Sequence, residues 1–196
     1  MYRVGITGGI GSGKTLVCKI MEVLGVAVYY ADEAAKRIMS EDSMIKESLK
    51  ELIGRKAYVG NRLNRAFIAS RIFSDERLLK QINQLVHPAV QRDFDGWAAR
   101  VSGSPYVIEE AALLFESGAA GFLDAVVLVY ASEGTRIRRV AERDGTEEHL
   151  VRDRMRHQMD EEEKRKLADH VIYNDGNDLL IPQVVKLHQD ILKNIQ

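Results

Sequence analysis

Residues 4–25 read VGITGGIGSGKTLVCKIMEVLG: an apolar run, a six-residue stretch holding Gly8, Gly9, Gly11 and Gly13, the pair Lys14-Thr15, then an amphipathic segment. Gly8 to Thr15 fit the pattern G-x-x-x-x-G-K-[ST], and that pattern carries information only when a strand precedes it and a helix follows. Both flanks are legible. RVGIT at 3–7 has strand character, while Val17, Ile20, Met21 and Leu24 follow the i, i+3, i+4, i+7 rhythm of a helix face, with Gly25 as a natural stop. Glycines let the backbone curl so that several N–H groups point at phosphate oxygens, and the helix N-terminus adds partial positive charge. The reading is a nucleoside triphosphate cradled by Gly9, Gly11, Ser12, Gly13, Lys14, Thr15 and Leu16. Lys14 is expected to reach the β- and γ-phosphates and the Thr15 hydroxyl to ligate Mg²⁺. The loop alone leaves the reaction open, because ATPases, GTPases and kinases share it.

Outward from this loop, apolar runs of strand length alternate with longer helical patterns: VAVYY at 26–30, YVIEEA at 106–111, DAVVLVY at 124–130 and HVIY at 170–173. Their near-continuous apolar character suits strands covered on both faces, and predicts an α/β fold with a five-stranded parallel sheet between layers of helices. The last helix is marked by Leu180, Val184, Leu187, Ile191 and Ile195, which places Pro182 in or near its first turn. The spacing is uneven. Residues from Asp32 to Pro105 read as several helices with no strand, an insertion too long for a simple crossover and suited to a helical substrate subdomain. A second stretch, from about Thr135 to Lys166, is dense in Arg, Glu and Asp and also reads as helix. No internal repeat or low-complexity linker interrupts the chain, so residues 1–196 are expected to form one domain with subregions at 32–100 and 135–166.

The composition narrows the function classes. The 196 residues are 45% hydrophobic, enough for one compact core. Net charge is -1, so no basic excess points to nucleic acid, and cations for an anionic ligand must be local. The single cysteine, Cys18, excludes an internal disulfide and reads as a small core residue on the apolar side of the first helix. No signal-peptide pattern and no apolar run of roughly 18 residues is present, so a cytoplasmic protein without membrane contact is expected.

Several residues are placed for chemistry. In an open parallel sheet, ligands gather at the carboxyl ends of the strands. Asp32 follows the second strand, and Glu109 and Glu110 close the third. A carboxylate near the γ-phosphate is costly unless it serves a metal or takes a proton from an attacking hydroxyl. Asp32 also suits a helix N-cap ahead of EAAKRIM, and the two readings stand side by side. In TRIRRVAERDG, Arg136, Arg139 and Arg143 fall at offsets 0, 3 and 7 on one helix face. Solvated charge is the common meaning of such a run, while a closing lid that brings positive charge onto a phosphoryl group is the other. His87, before Pro88 in INQLVHPAVQ, reads either as a core or capping histidine or as a ligand contact.

These stretches together resemble the dephospho-CoA kinase family, from GITGGIGSGKT at 5–15 through ADEAAKRIM, NRLNRAFIASRIF, INQLVHPAV, ALLFESG and RRVAERDG to ADHVIYNDG at 168–176. The loop is widely shared, whereas this order of secondary motifs is specific. The resemblance implies a P-loop kinase with a helical CoA-binding subdomain at 32–100 and an Arg-bearing lid at 135–166. It implies ATP-dependent phosphorylation of the ribose 3′-hydroxyl of dephospho-CoA, with Mg²⁺; a monomer or weak homo-oligomer is expected. Position by position, the general base falls on Asp32, the phosphate-clamping lid arginine on Arg139, a nucleotide contact on Arg143 and an adenine-side residue on Asn174. Thr7, Arg65, Asn83 and His87 match the substrate side, and Glu110 would join Thr15 at the metal. Two departures stand out: Tyr30-Ala31-Asp32 replaces the usual Asp-Ala-Asp, and Ala112-Leu113-Leu114 replaces Pro-Leu-Leu. Other small-molecule P-loop kinases, such as nucleoside monophosphate or shikimate kinases, are rivals; the 32–105 insertion is larger than expected for shikimate kinase, and its Asp-first, His-Pro-last framing favours the CoA reading. A GTP switch would carry an Asn-Lys-x-Asp motif, which is missing, and YVIEE is an imperfect match to the strand a motor ATPase needs.

Overall fold

The computed structural model describes residues 1–72 and 75–195. It divides into two compact units, one of residues 1–30 with 98–196 and one of residues 31–97.

The first unit is built on strands β1 (Arg3–Thr7), β2 (Ala27–Tyr30), β5 (Val107–Glu110), β6 (Ala125–Tyr130) and β7 (His170–Tyr173), in the order β2-β5-β1-β6-β7. All four pairings are parallel. Beyond β1 the chain first crosses to one side of the sheet and later, at β6, to the other. This is the topology that opens a crevice at the carboxyl end of the central strand. Helix α1 (Lys14–Val23) and helix α9 (Leu180–Asn194) bury Val17, Cys18, Met21, Val184, Leu187 and Ile191 against Val4, Ile6, Val127, Val129 and Ile172. The strand residues alternate because successive side chains leave opposite faces of the pleat. Cys18 is buried as a core residue, and burial raises its thiol far above the ordinary range. Pro182 occupies the first turn of α9, where the missing N–H has no intrahelical partner to lose. At the other rim, the hydroxyl of buried Tyr106 lies 2.8 Å from His188 Nδ1 and links β5 to α9.

Three helices fill the Arg-rich stretch: α6 (Glu133–Asp144), α7 (Glu148–Met155) and α8 (Glu161–Leu167). Ile137, Val140 and Val151 form a small separate core with Ile10 and Met155 packed against it. Asp160 caps α8 by accepting from the N–H groups of Glu162 and Glu163.

The second unit holds α2 (Ala31–Glu41), α3 (Ser43–Ile53), a hairpin of β3 (Tyr58–Val59) and β4 (Arg62–Leu63), α4 (Arg65–Ile72) and most of α5 (Glu76–Arg100). The hairpin corrects the expectation of a segment without strands. Its strands are two residues each, too short to leave a periodicity, and the turn signal was the dipeptide Gly60-Asn61, with Gly60 at φ 60°. A second correction concerns Asp32. It is the second residue of α2, inside the first turn with Glu33 and not at the cap, because α2 starts directly where β2 ends. Helix α5 runs unbroken through Pro88, while Asp42 caps α3 by accepting from the Ile45 N–H. The Tyr58 hydroxyl donates to the Met39 carbonyl at 2.7 Å, tying the hairpin to α2.

Ile108 is fully buried on β5 between β1 and β2. Its replacement by alanine is expected to destabilise the protein by about 2–5 kcal/mol in urea unfolding, the usual cost of a core cavity.

Candidate active site

The loop between β1 and α1 closes on itself. Ser12 N–H donates to the Gly9 carbonyl at 3.1 Å, and the N–H groups of Leu16 and Val17 return to the Gly13 carbonyl at 3.0 and 3.3 Å. Lys14 Nζ donates to the Gly8 carbonyl at 2.9 Å and lies 3.5 Å from that of Gly9. Glu110 Oε1 is 3.9 Å from the same ammonium. The pairing of Ile6 with Glu110 in the β1–β5 register delivers this carboxylate to the loop. Thr15 and Leu16 are exposed at the start of α1, and Ser12 is fully buried. Thr7, also fully buried, lies with its hydroxyl 3.4 Å from the Ala112 carbonyl. Asn174 fastens the far side: its Nδ2 donates to the Ser12 carbonyl at 2.8 Å and its N–H to the Tyr130 carbonyl at 2.8 Å.

Helix α6 packs onto the loop. At Gly11, which has φ +82°, a Cβ would stand 2.6 Å from the Arg136 carbonyl oxygen and 2.8 Å from Val140 Cγ2. At Gly9 it would stand 2.0 Å from Arg136 Nη1 and 2.9 Å from Glu161 Oε1. Arg136 is therefore no solvated charge. It is 7% exposed, with Nε donating to the Ala131 carbonyl at 3.1 Å. Arg139 is half-buried, and its Nη1 is enclosed with no hydrogen-bond partner. Arg143 is exposed and gripped by Asp144, at 2.7 Å from Nε and 3.2 Å from Nη2. Asp144 also accepts from Arg154 at 2.8 Å, and these two guanidinium groups hold its carboxyl well below the usual range.

The sequence did not single out a buried charge cluster beside the loop. Lys164 is fully buried on α8, 3.1 Å from Glu116, 3.8 Å from Glu161 and donating to the Ala112 carbonyl at 3.2 Å. Glu161 is 6% exposed, and neither of its oxygens makes a hydrogen bond of ordinary geometry. Burial pushes its carboxyl up, opposed by the charges of Arg136 and Lys164, by the Gly9 N–H and by Lys14. Gln158 Oε1 accepts the Ile10 N–H at 2.9 Å. Buried charges of this kind leave no pattern in a charged helical sequence, which reads as solvated until packing is known.

Tyr30, which stands where the resemblance expects an acid, donates its hydroxyl to Glu22 at 3.1 Å beside Lys19. Burial and Glu22 push its phenol up to about 12, so it stays protonated and neutral. In the second unit, Asp32 and Arg65 are exposed at the first turns of α2 and α4. Asn83 and His87 lie one turn apart on α5, both half-buried, and burial lowers the His87 imidazole so that it is neutral at pH 7.

A central parallel strand feeding a phosphate loop, with a lysine at that loop and an arginine-bearing helix packed on it, defines a P-loop kinase. The chain belongs to the dephospho-CoA kinase family, whose model, described as dephospho-CoA kinase, matches residues 2–179. It is 42% identical to a dephospho-CoA kinase of Salinibacter ruber over 184 residues, covering 91% of this chain and 92% of that one. A dephospho-CoA kinase of Bacteroides fragilis is 38% identical over 185 residues, with 94% and 90% covered. A Thermus thermophilus protein of solved crystal structure is 37% identical, superposes with a TM-score of 0.84, and is matched over 100% of this chain and 98% of its own.

The left-handed φ of Gly11 and the backbone carbonyl facing it leave a side chain nowhere to go. Gly11→Ala is expected to cost roughly 1–3 kcal/mol of stability. Calorimetry should find ATP binding weakened by about tenfold, or ~1.4 kcal/mol.

Proposed function

We propose that this chain transfers the γ-phosphoryl group of ATP to the ribose 3′-hydroxyl of dephospho-CoA, giving coenzyme A and ADP, the last step of coenzyme A synthesis. The observation that carries the reading is the Lys14 ammonium, held by the carbonyls of Gly8 and Gly9 at a phosphate loop, in a chain of this family. Phosphoryl transfer asks little covalent chemistry of a protein; it asks for positioning and for charge opposite the transferring oxygens. In this reading Gly9, Gly11, Ser12, Gly13, Thr15 and Leu16 cradle the triphosphate through the loop and the first turn of α1, with Lys14 as its point charge. Arg139 clamps the transferring group, a role favoured by its enclosed and unpartnered Nη1. Arg143 lies by the nucleotide once released from Asp144, and Asn174 borders the adenine. Thr7, Arg65, Asn83 and His87 contact the acceptor, with residues 32–100 as its binding subdomain and residues 135–166 as the lid.

Mg²⁺ suits the donors available. The Thr15 hydroxyl and the Glu110 carboxylate are hard oxygen ligands, and among the described residues no cluster of three or more His, Cys, Asp or Glu could hold a metal by itself. Mg²⁺ is commonly held by one or two protein oxygens together with substrate phosphates. Bound there, it would neutralise charge on the β- and γ-phosphates. Asp32 takes the proton of the attacking ribose hydroxyl, and Tyr30, being neutral, adds no second acid at that strand end. We place the protein in the cytoplasm as a monomer or weak homo-oligomer, without nucleic-acid or membrane partners. In support, its net charge is -1, and no described helix is long and apolar enough to cross a membrane.

ADP release should depend on added dephospho-CoA; release at the same rate without any acceptor would make the protein a hydrolase. General-base assistance is typically about 10²- to 10⁴-fold, so Asp32→Asn should lower kcat within that range while ATP affinity holds or rises slightly. A loss below about threefold would remove Asp32 from the proton transfer. Arg139→Lys keeps the charge but not the planar fork, and is expected to lower kcat more than it weakens ATP binding.

A further inference from the structure

Gln158 lies in the connection between α7 and α8, far in sequence from the phosphate loop, yet its Oε1 accepts the Ile10 N–H at 2.9 Å. That N–H belongs to the peptide unit joining Gly9 to Ile10. The carbonyl of the same unit accepts from Ser12 N–H at 3.1 Å and lies 3.5 Å from Lys14 Nζ. A peptide unit is planar and rigid, so a partner that fixes the direction of its N–H also fixes the direction of its C=O. Gly9 by itself offers little resistance to rotation of that plane, since glycine has the widest backbone freedom. Gly9 is also walled by Arg136 and Glu161, which stand within 3 Å of the position a Gly9 Cβ would take. Arg136 is buried and anchored to the Ala131 carbonyl, so the wall is not a mobile surface side chain.

We propose that Gln158 is a positioning residue for the phosphate-binding lysine: through the Gly9–Ile10 peptide it aims the Gly9 carbonyl, the second partner of the Lys14 ammonium after the nearer Gly8 carbonyl at 2.9 Å, and so raises ATP affinity without touching the nucleotide. The proposal rests on the reading of Lys14 as the residue that meets the triphosphate. It ties the stretch that follows α7 to the loop through a side-chain acceptor. The amide is matched to the task, because an N–H held this way is satisfied without adding a negative charge beside the bound phosphates.

The test measures ATP binding by calorimetry without any acceptor, so it is independent of which alcohol is phosphorylated. Gln158→Met keeps the length and removes the acceptor. It should weaken ATP binding by about tenfold in the otherwise native chain, and by less than about twofold when Lys14→Ala is already present, because two residues acting through one path are not additive. Equal losses in the two backgrounds, or no loss in the native one, would overturn the proposal. A substitution that damaged the loop only by loosening the fold would lower the melting temperature and weaken binding alike in both backgrounds. Should Gln158→Met not fold, Gln158→Asn, one methylene too short to reach Ile10, is read in the same way. Unchanged ATP affinity on Lys14→Ala alone would instead count against the reading of the loop, and is thereby distinguished from a failure of Gln158.

Discussion

A lysine ammonium held against main-chain carbonyls is the interaction on which this structure is organised. Lys14 is the first residue of α1, and the strand before it is the central strand of a parallel sheet. The loop must therefore turn back on itself within six residues while pairing its main-chain groups, although the buried Ser12 hydroxyl is left without a partner. It does so by pairing Ser12 with Gly9 and Lys14 with Gly8, and by borrowing Asn174 and Gln158 from the chain beyond β6. The sheet supplies the rest. Parallel pairing of Ile6 with Glu110 brings a carboxylate near the ammonium, and β6 on the other side leads into the helix that packs on Gly9 and Gly11.

That helix contact changes the meaning of the charged segment. Taking Arg136, Glu161 and Lys164 out of water is expensive, and their mutual attraction repays the cost only with good geometry. Lys164 has that geometry, with Glu116 and the Ala112 carbonyl in reach. Glu161 lacks it, having no ordinary hydrogen bond and a carboxyl pushed up by burial. Its position beside Gly9 puts it at the loop where phosphate charge would be met.

Tyr30 stands where the family resemblance expects an acid. A neutral phenol, paired with Glu22 on α1 and adjoining Lys19, serves the junction of α1 and β2.

Much of this was decided by local chemistry and could be read directly. Apolar runs buried on both faces declared parallel strands; the glycine-lysine-threonine pattern declared the loop; the spacing of Val17, Ile20 and Met21 declared the face of α1. Each is a statement about neighbours a few residues apart, where covalent geometry and burial period leave few choices. The hairpin at 58–63 escaped because its strands are shorter than any period, and Asp32 entered the first turn of α2 because a strand runs straight into a helix there. Only the tertiary structure could decide which arginines are solvent-facing. Arg136 and Arg143 lie seven residues apart on one helix; the first is buried on the phosphate loop and the second is exposed on Asp144. The same holds for Gln158, whose partner is more than a hundred residues away. A side chain's charge and length are written in the chain, but its desolvation and its partner are set by whatever segment packs against it, and no local pattern carries that.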